Sequence, residues 1–240
     1  MKKLLKKLRY PGRFIIVGQD AGSGVLIYGA TGRSPSSLAR RFVEQGDGIY
    51  MTGVDATVRI QGNPDLLEYP AVKFFSNGVV AANGNHIDRI ESLGVLGGAL
   101  ETLSLAFGEE VTYEPDEYKT PRITGCILEN EKYGLDMALN LVRSDIENDP
   151  HRSYWRVAGE NGQGSYIATY EGNDVRPTPP FSTDPIRVVI DFGSAEKAVH
   201  EAYSYLAPKE DEPDYRVGII AVYKKKDLEP NVAIINKLEL

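Results

Sequence analysis

Cysteine is nearly absent from this 240-residue chain, which contains one, Cys126. A disulfide framework within the chain is therefore excluded, and one cysteine with three widely spaced histidines gives no zinc-binding pattern. Cys126 lies in the apolar run Ile123–Leu128, so we expect a buried, unreactive thiol. The low cysteine content suits a reducing compartment, and we expect a cytoplasmic protein without a metal site.

An excess of basic residues is also missing, because 27 lysines and arginines stand against 34 acidic residues, a formal net charge of −7. This balance argues against a nucleic-acid-binding protein. No apolar stretch approaches the roughly 20 residues of a transmembrane helix. The one dense basic segment, Met1–Arg9, lacks the uninterrupted apolar core of a signal peptide. It predicts a basic N-terminal arm, either a short amphipathic helix or a frayed end, with no stable membrane association.

What the chain does contain is a series of short β-hairpins and three helical patterns. Alternating apolar runs separated by turn residues predict hairpins at 13–31, 41–53 and 71–82, the last with a strong Ser76-Asn-Gly78 turn signal. Apolar residues at helical spacing predict helices at 87–93, 97–107 and 194–206. The second half predicts further strands at 123–129, 134–142, 154–158, 165–170, 186–192, 217–223 and 231–236.

The order of these elements favours an α+β fold, because strands and helices are segregated rather than alternating. Hairpins come first, two helices follow, and then more strands enclose one helix. We expect two antiparallel sheets packed face to face with helices outside, a four-layer αββα sandwich. The short spacing of the hairpins leaves little room for a second unit, so residues 1–240 are expected to form a single domain with 1–9 as its basic arm.

A polar corner follows the third hairpin, where the apolar strand stops at Asn83-Gly84. Both residues tolerate positive φ, which predicts a sharp turn, and Asn85 lies where a helix N-cap is expected. The turn brings five polar side chains to one strand-to-helix junction: Asn83, Asn85, His86, Asp88 and Arg89. An ordinary capped helix with a polar first turn gives the same pattern, so this stretch alone leaves structure and function open.

A basic loop at residues 31–41 contains glycine, proline, three serines and three arginines. It can be a solvated turn or a monophosphate site, since arginine gives bidentate hydrogen bonds to phosphate oxygens and serine adds neutral donors. It is not a Walker loop, because the Gly-Lys-Ser/Thr ending is absent.

Five motifs, taken in order and spacing, resemble those of the archaeal-type IMP cyclohydrolase family over about three quarters of the chain. They are Tyr10-Pro-Gly-Arg13 with Ile16-Val-Gly18, Thr31-Gly-Arg-Ser34, Asn83-Gly84 with His86 and Asp88, Thr120-Pro-Arg-Ile123, and Tyr166-Ile-Ala-Thr-Tyr170. The resemblance implies a fold like that of the N-terminal-nucleophile hydrolases without their chemistry. It also implies a cytoplasmic cyclohydrolase, classed among hydrolases acting on cyclic amidines, that assembles as a homo-oligomer.

The activity that the resemblance implies is closure of the purine ring. 5-Formamidoimidazole-4-carboxamide ribotide, a small-molecule purine ribotide, loses water and becomes inosine monophosphate, with no cofactor. A hydrolase of a related amide or nucleotide, or a non-catalytic nucleotide-binding protein on the same fold, remains the alternative.

For this reaction we assign candidate roles to nine residues. The phosphate is assigned to Arg33 and Ser34, with Arg13 beside them. Asn83 and Asn85 are assigned to binding of the carboxamide or the ribose. Proton transfer is assigned to His86, and orientation of a hydrogen-bond donor to Asp88. Stabilisation of the oxyanion is assigned to Arg122 and Tyr170.

Overall fold

The computed structural model describes residues 1–54, 64–94, 97–132 and 134–240, and it is an α+β structure with two antiparallel sheets. The six-stranded sheet contains, in spatial order, β11 (Ile186–Val189), β10 (Gln163–Ala168), β1 (Arg13–Asp20), β2 (Ser23–Thr31), β12 (Arg216–Lys224) and β13 (Asn231–Asn236). The seven-stranded sheet contains β3 (Arg40–Gln45), β4 (Gly48–Gly53), β5 (Tyr69–Phe75), β6 (Gly78–Ala82), β7 (Arg122–Asn130), β8 (Gly134–Ser144) and β9 (Pro150–Arg156).

Six α-helices lie in the described ranges: α1 (Lys2–Leu5), α2 (Pro35–Leu38), α3 (Pro64–Leu67), α4 (Asp88–Leu93), α5 (Ala99–Ala106) and α6 (Ala195–Tyr205). Two 3₁₀ segments, Asn85–Ile87 and Lys237–Glu239, complete the helical elements there. The predicted helices at 87–93, 97–107 and 194–206 are thus confirmed within one to two residues at each end. Across these ranges, none of the helices combines the length and apolar character needed to cross a bilayer.

The two sheets contact each other where β1 and β2 of one sheet meet β7 of the other, and also where β12 and β13 meet β3. Gly125 of β7 permits the closest approach, because a Cβ there would lie 2.6 Å from Ile15 and 2.8 Å from Val17. The main apolar core lies between the sheets and includes residues of both. A second cluster joins α4 and α5 to the seven-stranded sheet and contains Cys126, which is buried as expected. Helix α6 contacts β12 and β13 of the other sheet.

Two predicted strands differ most from those observed, and side-chain hydrogen bonds explain both differences. Smaller shifts occur in β10, expected at 165–170, and in β8, expected to end at residue 142. The strand expected at 154–158 is β9, which begins at Pro150 because Asp145 accepts the backbone N–H groups of Glu147 and Asp149 and closes a tight turn. The strand expected at 186–192 ends at Val189, since the N–H groups of Phe192 and Gly193 donate to the Asp20 carboxylate instead of continuing the ladder.

The basic N-terminal arm forms the short helix α1, which contacts α6. Leu5 is fully buried and Met1 nearly so, whereas Lys2, Lys3, Lys6 and Lys7 are exposed. The alternation of leucine and lysine therefore produces an amphipathic turn whose apolar side packs on the protein.

Candidate active site

A cleft of about 290 Å³ opens where the start of β1, the basic loop 31–41 and the segment before β7 meet. It is lined by Tyr10, Arg13, Arg33, Ser34, Ser37, Arg40, Leu66, Leu67, Glu114, Asp116, Tyr118, Thr120, Tyr170 and Arg176. Four residues predicted from the sequence line this cleft together: Arg13, Arg33, Ser34 and Tyr170. Four arginines and buried carboxyl and phenol groups give it the composition of an anion-binding site.

Arg33 is held rigidly by the segment that follows β10. Its Nη1 donates to the Asp174 carboxylate and to the Val175 carbonyl, both at 3.2 Å, and its Nη2 donates to Thr178 Oγ1 at 2.5 Å. The guanidinium also lies over the ring of Tyr10, 4.1 Å from its centroid. Three of its five N–H groups are therefore used, and two remain for a ligand in the cleft.

Arg13 and Arg40 form the deeper basic part of the cleft. Arg13 is 8% exposed, donates from Nε to the Tyr69 hydroxyl at 3.4 Å and lies 3.9 Å from the Glu114 carboxylate. Arg40 is 1% exposed and donates from Nε to the Ser37 carbonyl at 2.9 Å. Burial, and then the positive charge of Arg13, lowers the pKa of Arg40. Two guanidinium groups this deeply buried create a local positive field in a protein that is acidic overall.

Ser34 has a structural task as well as a place in the cleft wall. Its Oγ accepts the backbone N–H of Ser37 at 3.1 Å and caps α2, and the Ser37 hydroxyl completes a reciprocal pair. The loop predicted at 31–41 thus contains one helical turn that Pro35 begins.

Glu114, like Arg40, is a functional candidate that sequence reasoning missed. Its carboxyl is 2% exposed, accepts the side-chain amide of Asn83 at 2.9 Å and faces Arg13. Burial raises its pKa, although the charges of Arg13 and Arg122 oppose that shift. A buried carboxyl with a raised pKa in a cleft is a candidate proton donor and acceptor. Glu114 lies in the acidic segment 109–119, which has the composition of a loop. No local pattern there distinguishes it from its acidic neighbours.

Asn83 holds the Glu114 segment against the end of β6. Its Oδ1 accepts the backbone N–H of Ile123 at 2.7 Å, while its Nδ2 donates to Glu114 and to the Pro121 carbonyl, both at 2.9 Å. The chain bends at Asn83 and Gly84 as expected, but not through positive φ, since Gly84 is extended at φ 172° and Asn83 has no positive φ. The expected N-cap at Asn85 is also wrong, since Asn85 is the first residue of the 3₁₀ turn and Gly84 precedes it as the cap.

Tyr170 reaches the cleft as part of a hydrogen-bonded row of three side chains. The Thr120 hydroxyl lies 2.6 Å from the Asp116 carboxylate, which can only accept, and 2.8 Å from the Tyr170 hydroxyl. Thr120 has one proton and gives it to Asp116, so Tyr170 donates to Thr120. Burial raises the pKa of Tyr170 to about 12, which keeps the phenol protonated at neutral pH. Its oxygen retains acceptor capacity toward the cleft.

The buried His86 and the partly buried Arg122 form a pair that does not line the cleft. Arg122 Nη1 lies 3.1 Å from His86 Nδ1, and His86 Nε2 lies 3.0 Å from the Thr124 hydroxyl. A guanidinium can only donate, so Nδ1 accepts and Nε2 carries the proton. Burial, and then the charge of Arg122, holds the pKa of His86 well below its usual value. The imidazole is therefore neutral and both of its nitrogens are occupied.

Asp88 and Asn85 are not brought into the cleft. The Asp88 carboxylate is about half exposed and forms an ion pair with Lys73 at 2.8 Å, on the side of the seven-stranded sheet covered by α4. Asn85 is exposed and does not line the cleft. In the part of the chain that the structure describes, no group of three or more histidine, cysteine, aspartate or glutamate side chains is placed to hold a metal ion.

Comparison with known proteins gives a consistent result. The family model of IMP cyclohydrolase-like proteins matches residues 10–228. A Methanococcus maripaludis protein named IMP cyclohydrolase is 26% identical over 202 residues, covering 80% of this chain and 93% of that protein. One from Methanocaldococcus jannaschii is 29% identical over 67% of this chain and 73% of its own, and one from Thermococcus kodakarensis is 31% identical over 53% and 60%.

Proposed function

The chain belongs to the family of IMP cyclohydrolase-like proteins, and from this premise we propose that its cleft closes the purine ring of 5-formamidoimidazole-4-carboxamide ribotide. The product is inosine monophosphate, an intermediate of purine biosynthesis, and water leaves. The observation that carries the proposal is that Arg13, Arg33, Arg40 and the buried carboxyl of Glu114 line one cleft of about 290 Å³, with Arg13 3.9 Å from that carboxyl.

The substrate already holds its two reacting groups on one imidazole ring, so the protein has to orient them rather than gather them. The carboxamide nitrogen attacks the formyl carbon, a C–N bond forms, and the carbonyl electron pair moves to the formyl oxygen. The carboxamide nitrogen and the formamide nitrogen each lose one proton, and the formyl oxygen takes up both. The C–O bond then breaks as a C=N bond forms to the formamide nitrogen, and the oxygen leaves as water. The reaction consumes no electrons and needs no co-reactant.

The phosphate is assigned to the outer, basic part of the cleft. Arg33 has two free N–H groups there, Ser34 lies beside it, and the exposed Arg176 lines the same rim. A guanidinium fixed by Asp174 and Thr178 loses little freedom when it binds a phosphate, which favours affinity.

Proton transfer is assigned to Glu114. A carboxyl whose pKa is raised by burial gives a proton to the formyl oxygen and receives one from the attacking nitrogen more readily than an ordinary carboxylate. Stabilisation of the developing oxyanion is assigned to Arg13 and Arg40, and acceptance of a carboxamide N–H to the Tyr170 oxygen, because all three line the cleft with Glu114.

Asn83, His86 and Arg122 are assigned as positioning residues. Asn83 fixes the Glu114 carboxyl, and His86 fixes the guanidinium of Arg122, whose charge acts on Glu114. The contacts of Asp88 with Lys73 and the exposure of Asn85 support a structural and a solvated role for these two.

At the level of the whole chain we propose one catalytic domain with the basic arm at residues 1–9. The shared core between the sheets and the helices on both outer sides support an αββα arrangement like that of the N-terminal-nucleophile hydrolases. We extend the proposal to a cytoplasmic homo-oligomer.

The test is product analysis after incubation with the formamido ribotide. We expect inosine monophosphate, seen by its ultraviolet absorbance, to form well above the rate of uncatalysed closure. Release of formate instead identifies an amide hydrolase, because hydrolysis and ring closure share the formyl carbon. Saturable binding without turnover identifies a non-catalytic nucleotide-binding protein. Either result contradicts the proposal.

A further inference from the structure

The basic arm takes no part in the proposed reaction, yet its conformation leaves its charge available. Leu5 and Met1 are buried against the protein, so the apolar side of the arm is not free to enter a membrane. The lysines remain on the outside. If the arm binds a ligand, its exposed lysines and the protein surface next to them are therefore the groups that contact it.

A second cleft, the arm groove, lies between the C-terminal end of the arm and the segment that follows α6. It has a volume of about 300 Å³, and its charged lining residues include Lys6, Lys7, Lys209 and Arg9. Arg9 is paired with Glu212, the one carboxylate among the lining residues, and Arg216, which also lines the groove, is paired with Asp214 at 2.9 Å. Lys6, Lys7 and Lys209 form no ion pair with any residue in the described ranges.

The remaining wall of the arm groove is apolar and partly aromatic. Leu8, Leu206 and Pro208 contribute aliphatic surface, and Tyr215 contributes a ring. Ammonium groups without an ion pair, in the same cleft as apolar and aromatic surface, fit a ligand that carries both a flat ring and several negative charges. We propose that the arm groove binds a nucleoside polyphosphate, with its phosphates on Lys6, Lys7 and Lys209 and its base against Tyr215 and the aliphatic wall.

The charge count favours a diphosphate or triphosphate over a monophosphate, because three uncompensated lysines match about three negative charges. The site is separate from the candidate active site, since no residue lines both clefts. Tyr215 forms the partition: its ring meets Tyr10 edge-on, with centroids 5.8 Å apart, and its hydroxyl donates to the Asp174 carboxylate at 2.8 Å.

Calorimetric titration of the full chain with ADP tests this site. The groove variant Lys6→Gln/Lys7→Gln/Lys209→Gln removes the three unpaired charges, all on exposed side chains, so the fold is expected to persist. The matched control is Lys2→Gln/Lys3→Gln/Lys225→Gln, which changes net charge equally with residues that do not line the arm groove. We expect saturable ADP binding whose Kd rises by at least about tenfold in the groove variant and stays within about twofold in the control.

Adenosine and inorganic pyrophosphate serve as further probes, and each should bind more weakly than ADP. The proposal is overturned if the wild-type chain shows no saturable ADP binding at millimolar concentration, or if both variants weaken binding equally, which would indicate unspecific charge attraction. Unchanged binding in the groove variant would place ADP in the other cleft, and pyrophosphate that binds as tightly as ADP would exclude a nucleoside ligand.

Discussion

Glu114 is the single residue on which the proposed chemistry depends most. Its carboxyl is buried in the cleft, and burial keeps its pKa raised despite two neighbouring arginines. Glu114→Gln retains the size and an acceptor for Asn83 but cannot exchange a proton. General acid–base catalysis contributes about 10²–10⁴-fold, so we expect kcat for ring closure to fall by about 100-fold or more with a smaller change in KM.

The matched control for this substitution is Glu109→Gln, which neutralises an exposed carboxylate of the same loop. Its activity should remain within about twofold of wild type, because surface substitutions rarely act at a distance. Equal activity of the Glu114→Gln and Glu109→Gln proteins would remove Glu114 from the mechanism.

His86 offers a prediction for stability against pH. Its pKa is held well below 6.5 in the folded protein, whereas the unfolded chain takes up a proton near that pH. Stability is therefore lost as pH falls below about 6.5, at up to about 1.4 kcal/mol per pH unit for this one group. His86→Gln, which preserves an acceptor for Arg122 and a donor for Thr124, should lose this part of the slope.

Chemical denaturation at pH 7 and pH 5.5 measures the effect, and His200→Gln, at an exposed histidine, is the control. Taking the difference between variant and wild type cancels the other titrating groups, including Glu114. Identical pH dependence of the wild-type and His86→Gln proteins would show that His86 titrates normally in the fold.

At the scale of elements, the start of β1 is held against the end of β10 by a very close approach of backbone to side chains. Gly12 has φ +70°, and a Cβ there would lie 2.1 Å from Thr169 Oγ1 and 2.7 Å from the Tyr170 ring. Gly12→Ala should therefore cost roughly 3 kcal/mol or more, by backbone strain and displacement of neighbours, and should lower activity through Tyr170.

Gly22 provides a control with the same backbone strain but open space, since its φ is +74° and nothing lies within 4 Å of an added Cβ. Gly22→Ala should cost only about 1–2 kcal/mol and leave activity unchanged. Thermal unfolding and the ring-closure assay on both variants separate the two contributions. Equal losses would mean that the close approach at Gly12 is unimportant.

Local sequence signals predicted most elements because their causes are local. The Asn77-Gly78 turn, the apolar spacing of α6 and its Ser194 cap all act within a few residues. The predicted start of β9 and the predicted end of β11 are wrong. At each of these boundaries a carboxylate, Asp145 or Asp20, accepts backbone N–H groups. Asp20 and its partner at Phe192 are more than 170 positions apart, so no local sequence pattern contains both residues.

At the scale of the whole molecule, the same limit explains the site. Sequence motifs predict Arg33 and Tyr170, and both line one cleft, but Glu114 and Arg40 join them only through the packing of distant segments. Asp88 and Asn85 were grouped with His86 by proximity in sequence, although a helical turn sends neighbouring side chains in different directions. The order of elements in the sequence predicted the α+β class and the two antiparallel sheets better than it predicted which side chains meet in the cleft.

The core between the two sheets leads to a prediction about cooperativity. Apolar residues of both sheets form one cluster, and Asn236 of β13 also exchanges two hydrogen bonds with Phe42 of β3, at 2.8 and 3.0 Å. Separate unfolding of either sheet would expose this shared core. We expect a single calorimetric transition whose van't Hoff and calorimetric enthalpies agree. Two resolved transitions would show independent units instead of one domain.

The most direct measurement is a crystal structure of the protein with inosine monophosphate bound. The account predicts the nucleotide in the cleft lined by Arg13, Arg33 and Glu114, with phosphate oxygens within about 3 Å of the Arg33 guanidinium. It also predicts that the ring carbon derived from the formyl group faces the Glu114 carboxyl. A nucleotide bound elsewhere on the surface, or a phosphate that touches none of the arginines of this cleft, would contradict the account.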